Sequence, residues 1–220
     1  MAIDSWTSSI DWKTPAGLAL QRLATAVPSD RRLTITVFGS APLQLMLDPS
    51  LLSADVDVFC EEADLNALVR IAGLDRAHSD FHIQVGSELS FRTSPRWRAR
   101  AQTVTIGACT FLLPHPVDIL IGKLHRLDAK DLEAFRVVRQ RTGHPSESEL
   151  ISELQFAVDL FRPSFDEERA VDFAGNVRRL WPQLYHREID PRAEIVLPAL
   201  ANREAGYGAP PPDHKRNLRS

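Results

Sequence analysis

The chain has few cysteines and no long run of apolar residues. Its two cysteines, Cys60 and Cys109, lie far apart, with no CxxC spacing and no histidine pair beside them. This excludes a disulfide framework and gives no zinc-site spacing. No run of about 18 apolar residues occurs, and the start, MAIDSWTSSIDWK, shows no basic segment followed by an apolar one. We therefore expect a cytoplasmic protein with no membrane association.

The chain also has few lysines and a small net charge. The formal net charge is −3, and only four of the 26 basic residues are lysines. The chain as a whole does not attract nucleic acid, so a polyanion must be bound by a local basic patch. Neither a GxxxxGK[ST] nor a GxGxxG motif occurs, which excludes a P-loop and a dinucleotide-binding turn. Lys123 and Lys130 stand out because they lie only seven positions apart.

The hydrophobic pattern that is present predicts an α+β chain. Thr14-Pro15 begins a capped helix, which is followed by a strand, a tight turn, a short helix, a second strand and another helix. The two strands are predicted at 33–38 and 55–60, and the two helices that follow them at 41–47 and 64–73. Two more strands are predicted at 81–91 and 103–113, joined by an arginine-rich hairpin or loop.

After Pro114 the pattern becomes helical. Apolar spacing predicts helices over 117–124, over 129–141 up to Gly143, from the Ser146–Glu149 capping box to 161, and over 166–181. We predict a nucleotidyltransferase-like core in 1–125 with a mixed β-sheet flanked by helices. A helical C-terminal subdomain is expected in 126–208, and a disordered tail in 209–220.

One constellation of residues carries recognisable chemistry. Phe38-Gly39-Ser40 falls on a strand-to-helix turn, and Asp55 and Asp57 fall on the following strand. Glycine lets the backbone approach a phosphate closely, while Ser40 and the helix start can donate hydrogen bonds to its oxygens. Asp55 and Asp57 share one face because side chains alternate along a strand. A bare βα turn with two surface aspartates is the alternative interpretation.

A pair of carboxylates on one face suits a hard cation. Mg²⁺ prefers oxygen ligands and is usually bound by one or two carboxylates together with substrate phosphates. Such ions neutralise a triphosphate and clamp its leaving pyrophosphate, as in two-metal catalysis of in-line displacement. We therefore expect a two-ion Mg²⁺ site at Asp55 and Asp57 that acts on an NTP.

The Gly-Ser turn followed by Asp-x-Asp resembles the nucleotidyltransferase superfamily, whose fold is similar to the catalytic core of polymerase β. The segment from Pro116 to Glu133 resembles the Lys, Arg, Lys-Asp stretch of AbiEii/AbiGii-type toxins and of the related DUF6036-like family. The resemblance implies that Lys123 contacts nucleotide phosphates, that Lys130 and Asp131 complete the pocket, and that Arg126 flanks them. If one helix continues through this segment, Lys123 and Lys130 lie nearly eclipsed on one face.

The match departs from the family pattern at Ala134, where a second aspartate is common. The superfamily also implies a third metal carboxylate on a later strand, for which Glu88 is the candidate and Asp118 the fallback. A polar, outward-facing strand residue is the alternative for Glu88. The histidines do not cluster, so we assign no catalytic histidine.

A run of arginines precedes the last predicted strand. Arg92, Arg96, Arg98 and Arg100 would share one face of an extended segment, opposite Trp97. Such a face could bind RNA phosphates or a triphosphate, although a charged, solvated hairpin is the alternative.

These features together predict transfer of a nucleoside monophosphate from an NTP to an acceptor hydroxyl. Ser40, Asp55, Asp57 and Lys123 would bind the magnesium complex, and Asp57 would help to deprotonate the acceptor. The resemblance implies a tRNA 3′ end or a protein as acceptor, and the role of a toxin with a cognate antitoxin or in phage defence. A catalytically inactive nucleotide- or partner-binding relative is the alternative. An aminoglycoside-modifying transferase is disfavoured, because the C-terminal part has no acidic cluster.

Overall fold

A five-stranded mixed sheet lies at the centre of the fold. The computed structural model describes residues 9–51, 55–61, 64–162 and 171–208; the tail predicted at 209–220 lies outside these ranges. The strands are Leu33–Phe38 (β1), Asp55–Phe59 (β2), His82–Val85 (β3), Gln102–Ile106 (β4) and Cys109–Leu113 (β5). Their order is β3-β2-β1-β5-β4. The β1–β2 and β4–β5 pairs are antiparallel, and the β1–β5 and β2–β3 pairs are parallel.

Helices pack on the sheet, so the predicted α+β fold with a mixed sheet is confirmed. They are Pro15–Ala26 (α1), Ala41–Met46 (α2), Leu65–Ile71 (α3), Trp97–Arg100 (α4), Pro116–Lys123 (α5), Ala129–Thr142 (α6), Glu147–Phe156 (α7), Phe173–Tyr185 (α8) and Leu197–Gly208 (α9). Short 3₁₀ segments at Glu88–Ser90 and Val158–Phe161 and a π-helical turn at Arg192–Val196 connect some of them. No helix in the described ranges is long and apolar enough to cross a membrane.

The two faces of the sheet bury different side chains. Alternate residues of β1 and β2, such as Ile35 and Val56, pack with α1 and α3 in one hydrophobic cluster. Because side chains alternate along a strand, Asp55 and Asp57 lie on the other face, beside Phe59. Phe59 belongs to a second cluster, formed with α5 and the helices after it. The two aspartates therefore lie where the sheet meets the helical part of the chain.

This second cluster contains side chains from both sides of the predicted domain boundary. Phe38 and Phe59 come from the sheet, whereas Phe135 and Trp181 come from α6 and α8. The helical part thus shares one core with the sheet. A division at residue 125 stays a prediction.

Several helix ends form as the sequence indicates. The Thr14 hydroxyl accepts a hydrogen bond from the Gly17 amide at the start of α1. Ser146 and Glu149 form the predicted capping box of α7, and Gly143 ends α6 with a φ of 75°. The predicted 166–181 helix corresponds to α8, which is capped by Asp172; residues 163–170 lie outside the described ranges.

The predicted strands after residue 80 are corrected by local turns. Strand β3 ends at Val85, because Ser87 and Ser90 form a capping box around a 3₁₀ turn. The 103–113 segment is the β4–β5 hairpin, in which Gly107 turns with a φ of 58°. The arginine-rich segment between these strands contains α4 and is not extended.

The chain between Lys123 and Lys130 is not one helix, so the condition under which these two lysines would lie eclipsed is not met. Helix α5 ends at Lys123, and Leu127 takes a φ of 47° in the connection. Asp128 and Asp131 then form a capping box, which begins α6 as a separate helix. Lys130 is exposed in the first turn of α6.

Candidate functional site

A cleft of about 300 Å³ opens where β1 and β2 meet α5 and α6. It is lined by Phe38, Gly39, Asp57, Ser90, Phe91, Ile119, Gly122, Lys123, Arg126 and Asp131. Five of these residues, Gly39, Asp57, Lys123, Arg126 and Asp131, were singled out from the sequence. The structure thus brings together a strand-to-helix turn and a helical segment that are more than 80 positions apart in the chain.

A chain of hydrogen bonds links the Gly-Ser turn to the basic residues. Lys123 Nζ donates to Ser40 Oγ at 2.8 Å and to Asp131 Oδ1 at 3.0 Å. Arg126 donates to Asp131 through Nε at 2.9 Å and through Nη2 at 3.1 Å. The Ser40 side chain does not cap α2. Because its oxygen accepts from Lys123, its own proton is directed elsewhere and can serve a ligand oxygen.

Asp131 fixes the position of both cations. It is 1% exposed and also accepts from the Asp128 amide at 3.4 Å in the capping box of α6. Burial raises the pKa of Asp131, but the Arg126 hydrogen bond and the charge of Lys123 outweigh burial, and the net pKa is lowered. Asp131 is therefore an ionised anchor that holds Lys123 at the edge of the cleft.

The pKa of Asp57 is shifted in the opposite direction from that of Asp131. Burial, followed by the charge of Asp55, raises its pKa to about 6, although Lys123 and Arg126 act in the other direction. A carboxylate that is held ionised against burial and a like charge gains from a bound cation. Two carboxylates on one strand face also supply the hard oxygen ligands that Mg²⁺ prefers. Asp55 and Asp57 thus fit the predicted magnesium ion.

Gly39 is required by the shape of the turn. Its φ is 68°, a left-handed conformation that residues with a side chain rarely adopt. A Cβ atom added there would lie 2.2 Å from Asp57 Oδ2. The glycine therefore lets the turn pass directly against the carboxylate of the neighbouring strand.

Asp55 lines a different cleft from Asp57. This second cleft, of about 470 Å³, is lined by Asp55, Arg76, Ser79, Asp80, His82 and Gln84. In the β2–β3 register, Asp55 pairs with His82 and Asp57 with Gln84, so all four side chains are on one face of the sheet. The two aspartates thus stand between two clefts.

The structure does not bring the two candidates for a third carboxylate to the cleft. Glu88 is exposed on a 3₁₀ turn and pairs with Arg98, which also pairs with Glu61. In the described part of the chain, no group of three or more His, Cys, Asp and Glu residues is placed to hold a metal ion. A metal role for Glu88 therefore stays a prediction without a supporting contact.

Asp118, the fallback, belongs to a buried ion-pair group. Its carboxylate is fully buried and accepts two hydrogen bonds from Arg100, whose guanidinium also pairs with Glu153. Burial raises the pKa of Asp118 to about 6, against the effect of Arg100. These contacts tie α5 to α4 and α7. Asp118 thus holds the helix that carries Lys123 and does not line the cleft.

The arginines before β4 do not share one extended face, and a phosphate-binding role for them stays a prediction without that face to support it. Arg96 stacks on the Phe156 ring at 4.0 Å, Arg98 binds the two exposed glutamates, and the largely buried Arg100, 12% exposed, pairs with Asp118. The cause is helix α4, which replaces the alternation of a strand by helical spacing. Lys130 is also not among the residues that line the cleft.

The apolar wall of the cleft was not found from the sequence. Phe91 packs its ring 5.8 Å from that of Phe38 and 5.4 Å from that of Trp97. Ser90 is the last residue of the 3₁₀ turn and Phe91 follows it, and Gly122 lies against Phe91. The only sequence signal for this wall was the position of Phe38 and Gly122 directly beside Gly39 and Lys123.

The comparison with known families agrees with this geometry. The family "Nucleotidyltransferase of unknown function (DUF6036)" matches residues 18–178, which is most of the chain and includes every residue that lines the first cleft. No curated protein matches the chain, and no solved structure matches it. The predicted membership of the nucleotidyltransferase superfamily is confirmed. The chain belongs to the DUF6036 family of nucleotidyltransferases of unknown function.

Proposed function

We propose that the protein transfers a nucleoside monophosphate from an NTP to an acceptor hydroxyl, with Asp55 and Asp57 as the ligands of Mg²⁺. The observation that carries this proposal is the hydrogen bond between Lys123 Nζ and Ser40 Oγ, in the same cleft as Asp57. This bond holds the lysine against the Gly-Ser turn in the cleft that the Asp57 carboxylate lines. A hydroxyl donor, a lysine and a carboxylate for the metal are the groups that bind a nucleoside triphosphate as its magnesium complex.

The charges of the cleft support a requirement for the metal. Lys123 and Arg126 are balanced by the carboxylates of Asp57 and Asp131, which line the same cleft. Without a bound metal ion, the cleft has no net positive charge with which to hold a triphosphate. Mg²⁺ supplies that charge when bound, and it neutralises the developing charge on the leaving pyrophosphate. NTP binding is therefore expected to depend on Mg²⁺.

The reaction is an in-line displacement at the α-phosphorus. Ser40, Lys123 and Arg126 hold the phosphates, and Asp131 keeps the two cations in position. The acceptor oxygen forms a bond to the α-phosphorus as the bond from that phosphorus to the bridging oxygen of the β-phosphate breaks. Pyrophosphate leaves. The hydroxyl proton passes to the Asp57 carboxylate and from there to water.

The resemblance to AbiEii-type toxins extends the proposal to a biological role. The acceptor would be a tRNA 3′ end or a protein hydroxyl, and the enzyme would act as the toxin of a toxin-antitoxin pair or in phage defence. A cognate antitoxin would then be a partner.

The proposal is tested by incubating the purified protein with Mg²⁺, each α-labelled NTP in turn, and total tRNA. An Asp55→Ala/Asp57→Ala double variant is the matched control. We expect label on RNA or on protein only with the intact enzyme, and one NTP to be preferred. The alternative, a binding-only relative, is motivated by the lack of a third carboxylate beside the pair among the described residues. NTP binding without transfer to RNA or protein would establish it.

A further inference from the structure

The second cleft lies on the other side of strand β2 from the first cleft. The first cleft uses Phe38 and Gly39 from the β1 side of β2, whereas the second uses His82 and Gln84 of β3. Because the sheet order is β3-β2-β1, strand β2 separates them. Asp57 faces the first cleft and Asp55 the second, two residues apart on one strand face. The metal-binding carboxylates thus form the border between the two.

Displacement at phosphorus imposes a direction on the two reactants. The attacking oxygen and the leaving oxygen lie roughly in line on opposite sides of the phosphorus. If Ser40, Lys123 and Arg126 hold the leaving pyrophosphate in the first cleft, the acceptor must approach from the far side of the aspartates. The second cleft opens there. Its volume is about 470 Å³, against about 300 Å³ for the first cleft.

The side chains of the second cleft are polar and suit a ribose with its phosphate. Among the described residues, the side chains of Arg76 and Gln84 have no hydrogen-bond or ion-pair partner. A guanidinium group binds phosphate oxygens in a bidentate manner. Asp80 and Gln84 can accept hydrogen bonds from ribose hydroxyls, and His82 adds a donor or an acceptor. An apolar pocket that would take a peptide side chain is not part of this lining.

We propose that the second cleft is the acceptor subsite, and that it binds the 3′-terminal nucleotide of an RNA. Arg76 contacts the phosphate of that nucleotide, and Asp80 and Gln84 orient its ribose so that a terminal hydroxyl oxygen faces Asp55 and Asp57. The hydroxyl oxygen forms the new bond to the α-phosphorus as the bond from that phosphorus to the bridging oxygen of the β-phosphate breaks. The hydroxyl proton passes through the Asp57 carboxylate to water, and pyrophosphate leaves on the first-cleft side. This inference rests on the proposed nucleotidyl transfer.

Crosslinking tests the subsite without requiring catalysis. An RNA with a 3′-terminal 4-thiouridine is irradiated with the full-length protein and Mg²⁺, and the crosslinked peptide is identified by mass spectrometry. We expect the crosslink within residues 76–84, and we expect a 3′-phosphate on the RNA to weaken it. A crosslink at another place, or none, would overturn the subsite even if the enzyme transfers nucleotides.

Kinetics supply the second arm, with Arg76→Ala as the variant and Arg70→Ala as its matched control. Arg70 is an exposed arginine of α3 that lines neither cleft. We expect Arg76→Ala to raise KM for RNA about tenfold or more, since it removes a charge-assisted hydrogen bond. Its Kd for the magnesium complex of the NTP should be unchanged, and Arg70→Ala should match the wild type in both quantities.

The two proposals fail in different ways. If no NTP binds the first cleft, nucleotidyl transfer is wrong, whatever the crosslink shows. If NTP binds and RNA is labelled but Arg76→Ala behaves like Arg70→Ala, the acceptor subsite is wrong and the transfer stands. Labelling of a protein in place of RNA, reduced by Arg76→Ala, would contradict the assignment of the cleft to RNA.

Discussion

Replacing Asp57 by asparagine should make the metal-free protein more stable while removing its activity. Burial and the charge of Asp55 raise the pKa of Asp57 from an ordinary value of 3.8 to about 6. Each pKa unit corresponds to about 1.4 kcal/mol, so ionised Asp57 lowers the free energy of unfolding by about 3 kcal/mol above pH 6. Asparagine removes the charge but still buries a polar amide. We therefore expect a net gain of about 1–3 kcal/mol, or about 2–12 °C in Tm for a chain of this size.

The pH dependence of this effect has a defined sign. Because the folded-state pKa of Asp57 is raised, the group contributes stability below about pH 4 and loses it as the pH rises through about 6. The difference in stability between Asp57→Asn and the wild type should therefore be large at pH 7.5 and vanish near pH 4. Thermal unfolding in EDTA, followed by circular dichroism at both pH values, measures it.

Asp131→Asn is the matched control, since it alters a carboxylate of the same cleft. The pKa of Asp131 is lowered on balance, because its contacts with Arg126 and Lys123 outweigh burial. Its loss should destabilise the protein by about 1–3 kcal/mol, the usual value of hydrogen bonds to charged groups. If Asp57→Asn is no more stable than the wild type in EDTA at pH 7.5, the electrostatic account of the cleft is refuted.

Three further substitutions test the contacts that shape the site. Gly39→Ala should abolish activity, because the added Cβ meets the Asp57 carboxylate. Gly107→Ala is the control, since Gly107 has a similar φ of 58° and open space around it; it should cost only about 1–2 kcal/mol of unfolding free energy and leave NTP binding intact. Unfolding curves and NTP titrations distinguish the two variants. Lys123→Met should weaken NTP binding about tenfold or more and Lys130→Met should not, as measured by calorimetry; equal effects would contradict the placement of Lys130 outside the cleft. Arg100→Ala should destabilise the protein by about 3–5 kcal/mol in urea, because it leaves two buried carboxylates unpaired; a loss under 1 kcal/mol would contradict the structural role.

The geometry of the Gly-Ser turn and of the aspartate pair could be predicted from the sequence because it depends on local rules. Alternation along a strand places Asp55 and Asp57 on one face, and it does so in β2. A glycine between a strand and a helix predicts a turn with positive φ, which Gly39 has. The capping box of Ser146 and Glu149 is equally local. These features need only a few neighbouring residues to form.

The features that the sequence did not reveal depend on distant contacts or on competition between local motifs. Phe91 lines the cleft because it packs on Phe38, a residue more than 50 positions away. The alternating pattern around Glu88 predicted a strand, but the Ser87 capping box ends β3 first. The sequence predicted separate helices at 117–124 and 129–141 but did not exclude one continuous helix, because no glycine signals the positive φ of Leu127. The buried partners of Arg100 likewise come from two separate helices.

Transfer of a nucleoside monophosphate in the cleft between the Gly-Ser turn and Lys123 can be tested with labelled substrates. The most direct measurement compares one NTP labelled at the α-phosphate with the same NTP labelled at the γ-phosphate, using wild-type protein and Asp57→Asn with Mg²⁺ and RNA. With the wild-type protein we expect the α-label to become covalently attached to the acceptor and the γ-label to be released as pyrophosphate, and we expect neither with Asp57→Asn. Transfer of the γ-label, or α-label transfer that persists in Asp57→Asn, would contradict this expectation.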